Sequence, residues 1–259
     1  MKTIKDFFGI VDIHMIFVLI LSLACTYLCI YFDFKADLPS NFVGIAVVFP
    51  VVFSINAAYK RREEALNYFA DLKSNLIALY YAHRDWNPKK EVSTHKNFKE
   101  ASLKTLDSIN RYLQNSDKDK PETTPMVYTH FSKLSKLNEE MRSIGVPANE
   151  VSRANQYVRS VITDFEKMKN IYEYRTPIGL RAYSNIFLNL FPIVFGPFFA
   201  YLAQKFSPVF GYLFAALYSI VLISLQHIQD NLEDPFDGIG EDDIKLDIKD
   251  EYSSIMNED

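Results

Sequence analysis

The chain has 259 residues, 28 Lys/Arg against 32 Asp/Glu, and a formal net charge of −4; 49% of its residues are hydrophobic. Two cysteines exclude a disulfide framework and a cysteine-rich metal cluster, and no nucleic-acid partner is expected. A mean hydropathy of −0.05 would suit a soluble protein. That average hides four uncharged apolar windows, Ile13–Phe32, Leu38–Tyr59, Ala182–Gln204 and Phe206–Gln229, of 20, 22, 23 and 24 residues.

About 20 apolar residues rising about 1.5 Å each cross a hydrocarbon core of about 30 Å. Each window is therefore expected to be a transmembrane helix. Asp6 and Asp12 interrupt the stretch before the first window and no small-residue cleavage site follows it, so a cleaved signal is not expected. Cys25 and Cys29 stand one helical turn apart in the first span and read as packing residues. In the second span Ile45, Phe49 and Phe53 recur every four residues and share one helix face. This apolar stripe runs down into Lys60-Arg61-Arg62.

The segment Lys60–Arg181 holds 22 basic and 16 acidic residues. Apolar residues at 3–4 spacing from Ala65 to His83 predict that the second span continues as one long helix, ended by Asn87-Pro88. A second helix is marked by Phe98, Leu103, Leu106, Ile109 and Leu113. Asn115–Pro125 reads as a loop, and a third helix carries Tyr128, Phe131, Leu134, Leu137 and Met141 until Gly145 and Pro147 break it. A fourth helix is predicted from about Glu150 to Tyr174.

The third span carries Asn185 and Asn189 one turn apart, which mark an inward face, and Pro192 and Pro197, which kink the helix and free carbonyls. Asp230–Asp259 holds 12 acidic and 2 basic residues. Beyond Asp247 it has too few apolar residues for a core of its own. It is expected to be mobile or to lie on the basic insert by charge attraction.

The chain thus reads as an all-α polytopic membrane protein: spans one and two in 1–59, a helical cytosolic domain in 60–181, spans three and four in 182–229, and an acidic tail in 230–259. Positive-inside bias puts the basic span ends and both termini in the cytoplasm, in the cell membrane. No Walker loop, dinucleotide fingerprint, His-Glu-x-x-His or Cys-x-x-Cys occurs, and the five histidines lack metal-ligand spacing. His83-Arg84-Asp85-Trp86 reads as a packing cluster at a helix end. Gly238-Ile239-Gly240 lies among acidic residues that would repel phosphate. No enzymatic activity is expected.

Two motifs resemble those of the bestrophin family of pentameric ion channels. Phe53-Ser54-Ile55-Asn56-Ala57-Ala58-Tyr59-Lys60-Arg61 fits the family's segment at the end of the second span. Glu233-Asp234-Pro235-Phe236, followed by Asp237 and Glu241-Asp242-Asp243, looks like its Pro-Phe motif and acidic run. The order of spans, the helical insert and the acidic tail match as well, so the resemblance covers almost the whole chain. Arg62-Glu63 stand where the family usually has a Trp pair.

The resemblance implies a ring-shaped homopentamer in a lipid bilayer. Ile45, Phe49 and Phe53 would form the pore neck, and Val151 lies near a cytosolic constriction. It further implies that Asp237, Glu241, Asp242 and Asp243 could hold calcium, an ion that prefers several carboxylate oxygens; a solvated acidic linker is the competing reading. Stacked apolar rings gate by dewetting. Phenyl edges tolerate a passing anion, and Arg61 and Arg62 at the inner mouth would concentrate anions. The function expected is passive conduction of inorganic ions, chloride-like anions first. The alternatives are cation conduction by the same architecture, or a membrane-anchored interaction protein without a pore.

Overall fold

The computed structural model describes residues 13–37, 40–88, 92–114, 123–174, 177–238 and 242–257, with the backbone alone at 40–48, 50, 92, 93 and 123. Among these residues there is no strand. The helices in chain order are α1 (Ile13–Tyr31), α2 (Ser40–Asp85), α3 (Val92–Leu113), α4 (Thr123–Ser143), α5 (Ala148–Glu173), α6 (Ile178–Val194), α7 (Gly196–Lys205), α8 (Pro208–Glu233) and α9 (Lys249–Ile255). The chain divides into two compact units: Met1–Lys60 with Thr176–Glu233, and Arg61–Arg175 with Asp234–Asp259. The helix α2 runs from the first into the second without a break across its 46 residues, a rise of about 70 Å.

The first unit is built from apolar runs. Among the described residues Ile13–Tyr31, Ile178–Lys205 and Pro208–Glu233 are long and apolar enough to cross a membrane. The expected second span lies in the first half of α2, and its residues 38 and 39 lie outside the described residues.

The expected kink in the third apolar run falls at Phe195, a single non-helical residue across which the Phe195 N–H still donates to the Phe191 carbonyl at 3.0 Å and the Phe199 N–H to the Phe195 carbonyl at 3.0 Å. The helix stops at Phe195 (φ −79, ψ 2) and restarts as α7 with Pro197 in its first turn. Proline at that point has no N–H to give to the preceding turn, and its ring clashes with the carbonyl four residues back. A neighbour satisfies the backbone nearby: the Ser22 hydroxyl donates to the Pro192 carbonyl at 2.7 Å. Close approach fixes the small residues around the kink. A Cβ on Gly196 would lie 2.8 Å from Cys25 Sγ, and one on Gly211 would lie 2.6 Å from Ala203 Cβ. Helices in lipid associate through such close packing and through hydrogen bonds between them.

Those hydrogen bonds hold α1, α6 and α8 together. Asn189 donates to Gln226 Oε1 at 2.9 Å, so its own Oδ1 accepts from His14 Nε2 at 2.6 Å. Ser184 donates to Gln229 at 2.6 Å, and Arg181 pairs with the buried Glu233 at 3.1 Å. Asn189 thus faces the bundle interior, as polar groups in an apolar span must.

The second unit is a helical bundle. The 3–4 spacing of α2 buries Leu72, Leu76 and Leu79 against Phe98 and Ile109 of α3, Leu134 and Met141 of α4, and Phe165 and Met168 of α5. The first breaks fall at Trp86–Pro88 and at Gly145, whose φ of +95 suits a residue without a Cβ. The helix α4 starts at Thr123, so the last three residues of the expected loop, Thr123 to Pro125, are helical.

The tail departs from expectation. It carries the short helix α9, and Phe236, Ile244, Leu246, Ile248 and Met256 join the main core of this unit. Few apolar residues cannot build a core, but residues that all point one way can extend an existing one. Lys99 donates to the Ser253 carbonyl at 2.9 Å and to the Asn257 side chain, so charge contacts trim a seat that is mainly apolar. Phe236→Ala should therefore cost about 3–5 kcal/mol and release the tail to proteolysis. Wild-type thermal stability and protease resistance would show that the tail is not anchored there.

Candidate permeation face

The first half of α2 carries Phe49 and Phe53, one turn apart, with ring centroids 5.9 Å from each other. They are 57% and 59% exposed, beside Val52 at 55%. No other helix of the described chain covers them, whereas Val51 and Ser54 on the opposite side of α2 are buried. Ile45 stands on the same helix one turn earlier; its side chain lies outside the described residues. An exposed phenyl pair on a span-type helix is left for lipid, another copy or a pore axis.

Arg61 and Arg62 are engaged rather than free. The Arg61 guanidinium donates to the Ile171 and Tyr174 carbonyls, both at 2.6 Å. These lie at the C-terminal end of α5, where the last carbonyls lack helical partners and carry partial negative charge. Arg62 pairs with Glu63 at 2.6 Å and donates to the Asp242 carbonyl at 3.0 and 2.9 Å. Both arginines tie α2 to other parts of its own unit, and the pairing with Glu63 cancels charge at Arg62.

Val151, expected near a constriction, is fully buried in the core of the second unit. A side chain sealed inside its own chain does not project into an axis, and the loose apolar match that suggested it is a core position.

Of the acidic run, Glu241 lies outside the described residues. Asp243 accepts the Gly238 N–H at 2.6 Å and Asp234 accepts the Phe236 N–H at 3.4 Å, so both carboxylates shape the turn after α8. Asp237 and Asp242 are exposed. Among the described residues no three His, Cys, Asp or Glu side chains converge on one point. Calcium takes six to eight oxygens, and the described carboxylates do not supply such a set.

A polar chain that runs from the exposed Glu139 to the buried His83 escaped the sequence reading. Asn155 donates to the Glu139 carboxylate at 3.2 Å, which leaves its Oδ1 to accept from Asn138 at 3.0 Å. Asn138 Oδ1 then accepts from His83 Nε2 at 2.9 Å. A carboxylate only accepts, so the order of donors fixes the proton of His83 on Nε2. Its Nδ1 is buried without a partner, and its ring stacks on Phe98 at 4.1 Å. Burial pushes the His83 pKa down to about 4, against an opposing contribution from Asn138. Arg84 pairs with Asp85 and lies over the Tyr81 ring at 4.7 Å. The stretch from His83 to Trp86 is therefore a packing cluster. Polar residues at apolar-face positions, His83 and Asn138, were the signal available in the sequence.

No protein-family model and no curated protein matches the chain. Among solved structures, a point mutant of a bacterial bestrophin homolog from Klebsiella pneumoniae is similar at TM-score 0.81 and 15% identity, over 93% of this chain and 98% of that one. A second mutant of the Klebsiella pneumoniae homolog gives 0.80 and 15%, over 93% and 97%. A structure described as a membrane protein gives 0.77 and 16%, over 95% and 98%. An all-helical chain with these apolar helices, matched in this way over more than nine-tenths of its length, has the fold of the bacterial bestrophin homologs.

Proposed function

We propose that the chain is the subunit of a homo-oligomeric, passive ion channel of the cell membrane, with α2 lining the axis and Phe49 and Phe53, with Ile45, forming a hydrophobic neck. The observation that carries this reading is the phenyl pair left uncovered on α2 of a chain with this fold. A ring of copies turns that pair into stacked apolar rings around a central path. Water leaves a narrow apolar tube, and ions cannot follow without solvent. Four spans per subunit, with both termini in the cytoplasm and five copies per ring, complete the proposal. No step runs through calcium.

The neck's phenyl edges favour chloride-like anions. A second reading, cation conduction, is favoured by one specific observation: Arg61 and Arg62 are spent on carbonyls and on Glu63. Reversal potentials of the protein reconstituted in liposomes under chloride and sodium gradients separate the two. A shift with the chloride gradient supports anions, and a shift with the sodium gradient supports cations. A monomer without flux would instead favour an anchored partner-binding protein.

A further inference from the structure

Between α2 and α5, within the second unit, lies a groove of about 480 Å³ lined only by polar and charged residues: Asp71, Asn75, Gln156, Arg159, Ser160, Thr163, Asp164 and Lys167. Its size falls in the range of small-molecule sites, about 300–1,000 Å³, whereas such sites are usually apolar. The charges within it are incompletely matched. The Asp164 side chain is 7% exposed, and its one cation is Lys167, at 3.4 Å. That ammonium also lies over the Tyr68 ring at 4.6 Å, so it is shared. Burial, and then the nearby charge of Asp71, hold the Asp164 carboxyl above its ordinary pKa, with Lys167 opposing. Among the described residues neither the Asp71 carboxylate nor the exposed Arg159 guanidinium has a hydrogen-bond or ion-pair partner.

One wall group of each sign is thus unpaired in the same groove, and the two do not pair with each other. Such a groove neutralises neither a simple anion nor a simple cation completely. It complements a solute that carries both charges at a distance. Arg159 and Asp164 stand five residues apart on α5, a rise of about 7.5 Å along the axis and about 140° around it, so they flank the groove from two sides and the long Arg159 side chain has to reach back across it. Two extended residues of peptide span about 7 Å. Ser160, Thr163, Asn75 and Gln156 supply hydroxyls and amides that can hydrogen-bond a peptide group.

We propose that this groove binds a dipeptide-sized zwitterion, its ammonium between Asp71 and Asp164 and its carboxylate on Arg159. Charge-assisted, forked recognition of a carboxylate is what a guanidinium does best. The proposal rests on the second unit alone and stands or falls independently of the pore reading.

The test is calorimetric titration of the full chain, purified in detergent, with glycylglycine. Glycylglycinamide, which lacks the carboxylate, and N-acetylglycylglycine, which lacks the ammonium, are the controls. Saturable binding of glycylglycine is expected, weakened at least about tenfold by either cap. Asp71→Asn and Arg159→Gln alter exposed side chains and should leave folding intact, checked by the emission of Trp86. Each should weaken binding by a similar factor. No binding of glycylglycine, equal binding of the capped peptides, or binding that neither substitution changes would overturn the proposal.

Discussion

Replacing Phe49 and Phe53 together by alanine should raise ion flux about tenfold, since each 1.4 kcal/mol removed from a barrier is worth that factor, or should leave the channel unable to close. The two rings stand 5.9 Å apart on one face of α2 and are more than half exposed in their own chain. Removing them opens no cavity inside the subunit, so the change costs little stability of the kind that buried truncations do. What it changes, in the channel proposed above, is the width and dryness of the axis. Alanine rings at two levels leave room for water, and the dewetting barrier falls. The measurement is flux into liposomes from wild-type and double-mutant protein of matched oligomer mass. Wild-type flux from a correctly assembled double mutant would mean that these rings face lipid or another copy and not the conduction path.

Acid should loosen the second unit through His83. Its pKa in the folded chain is pushed down to about 4 from 6.5 by burial. The folded state therefore binds fewer protons than the unfolded one between these values. The contribution to stability is complete above pH 6.5, falls as pH drops toward 4, and is flat below. The full loss is worth about 3 kcal/mol. The cause is visible in the hydrogen-bond order: Nδ1 is the acceptor end and has no partner, so its proton would place an unpaired charge in the core. Burial holds His130 below its ordinary value too, and the Arg142 contact does the same for the Glu139 carboxyl. A variant is needed to isolate His83. His83→Gln keeps an amide donor for Asn138 and removes the titration. Trp86, the single tryptophan, sits just after α2 and reports unfolding of this unit. The variant should lose much of the acid dependence between pH 6.5 and 4; an unchanged profile would place the sensitivity elsewhere.

Much of the fold was legible along the chain. Uncharged apolar runs named four spans, three of which are span-type helices among the described residues, 3–4 spacing named the bundle helices, and Asn87-Pro88, Gly145 and Pro147 named the breaks. The long helix through Ala65 to His83 followed from unbroken periodicity. These are local properties, since helix length and the side a residue faces depend on neighbours within a few positions. The reversal of the tail shows where that logic stops. Ile248, Tyr252 and Met256 looked too sparse to order a segment, yet Ile248 and Met256 are buried because an existing core lies beneath them.

By itself, the sequence determined that this is an all-helical chain with membrane-type spans, and which phenyl residues share a face of α2. Tertiary structure alone decided that Arg61 caps the carbonyls of α5, that Arg62 is spent on Glu63 and the Asp242 carbonyl, and that Val151 is core. It also decided that three residues from α4 and α5 fix the proton of His83. Those partners are as many as 180 residues away in the chain. A pattern of hydrophobicity reports which side of a helix is dry, and only the closed bundle reports which charge meets which carbonyl.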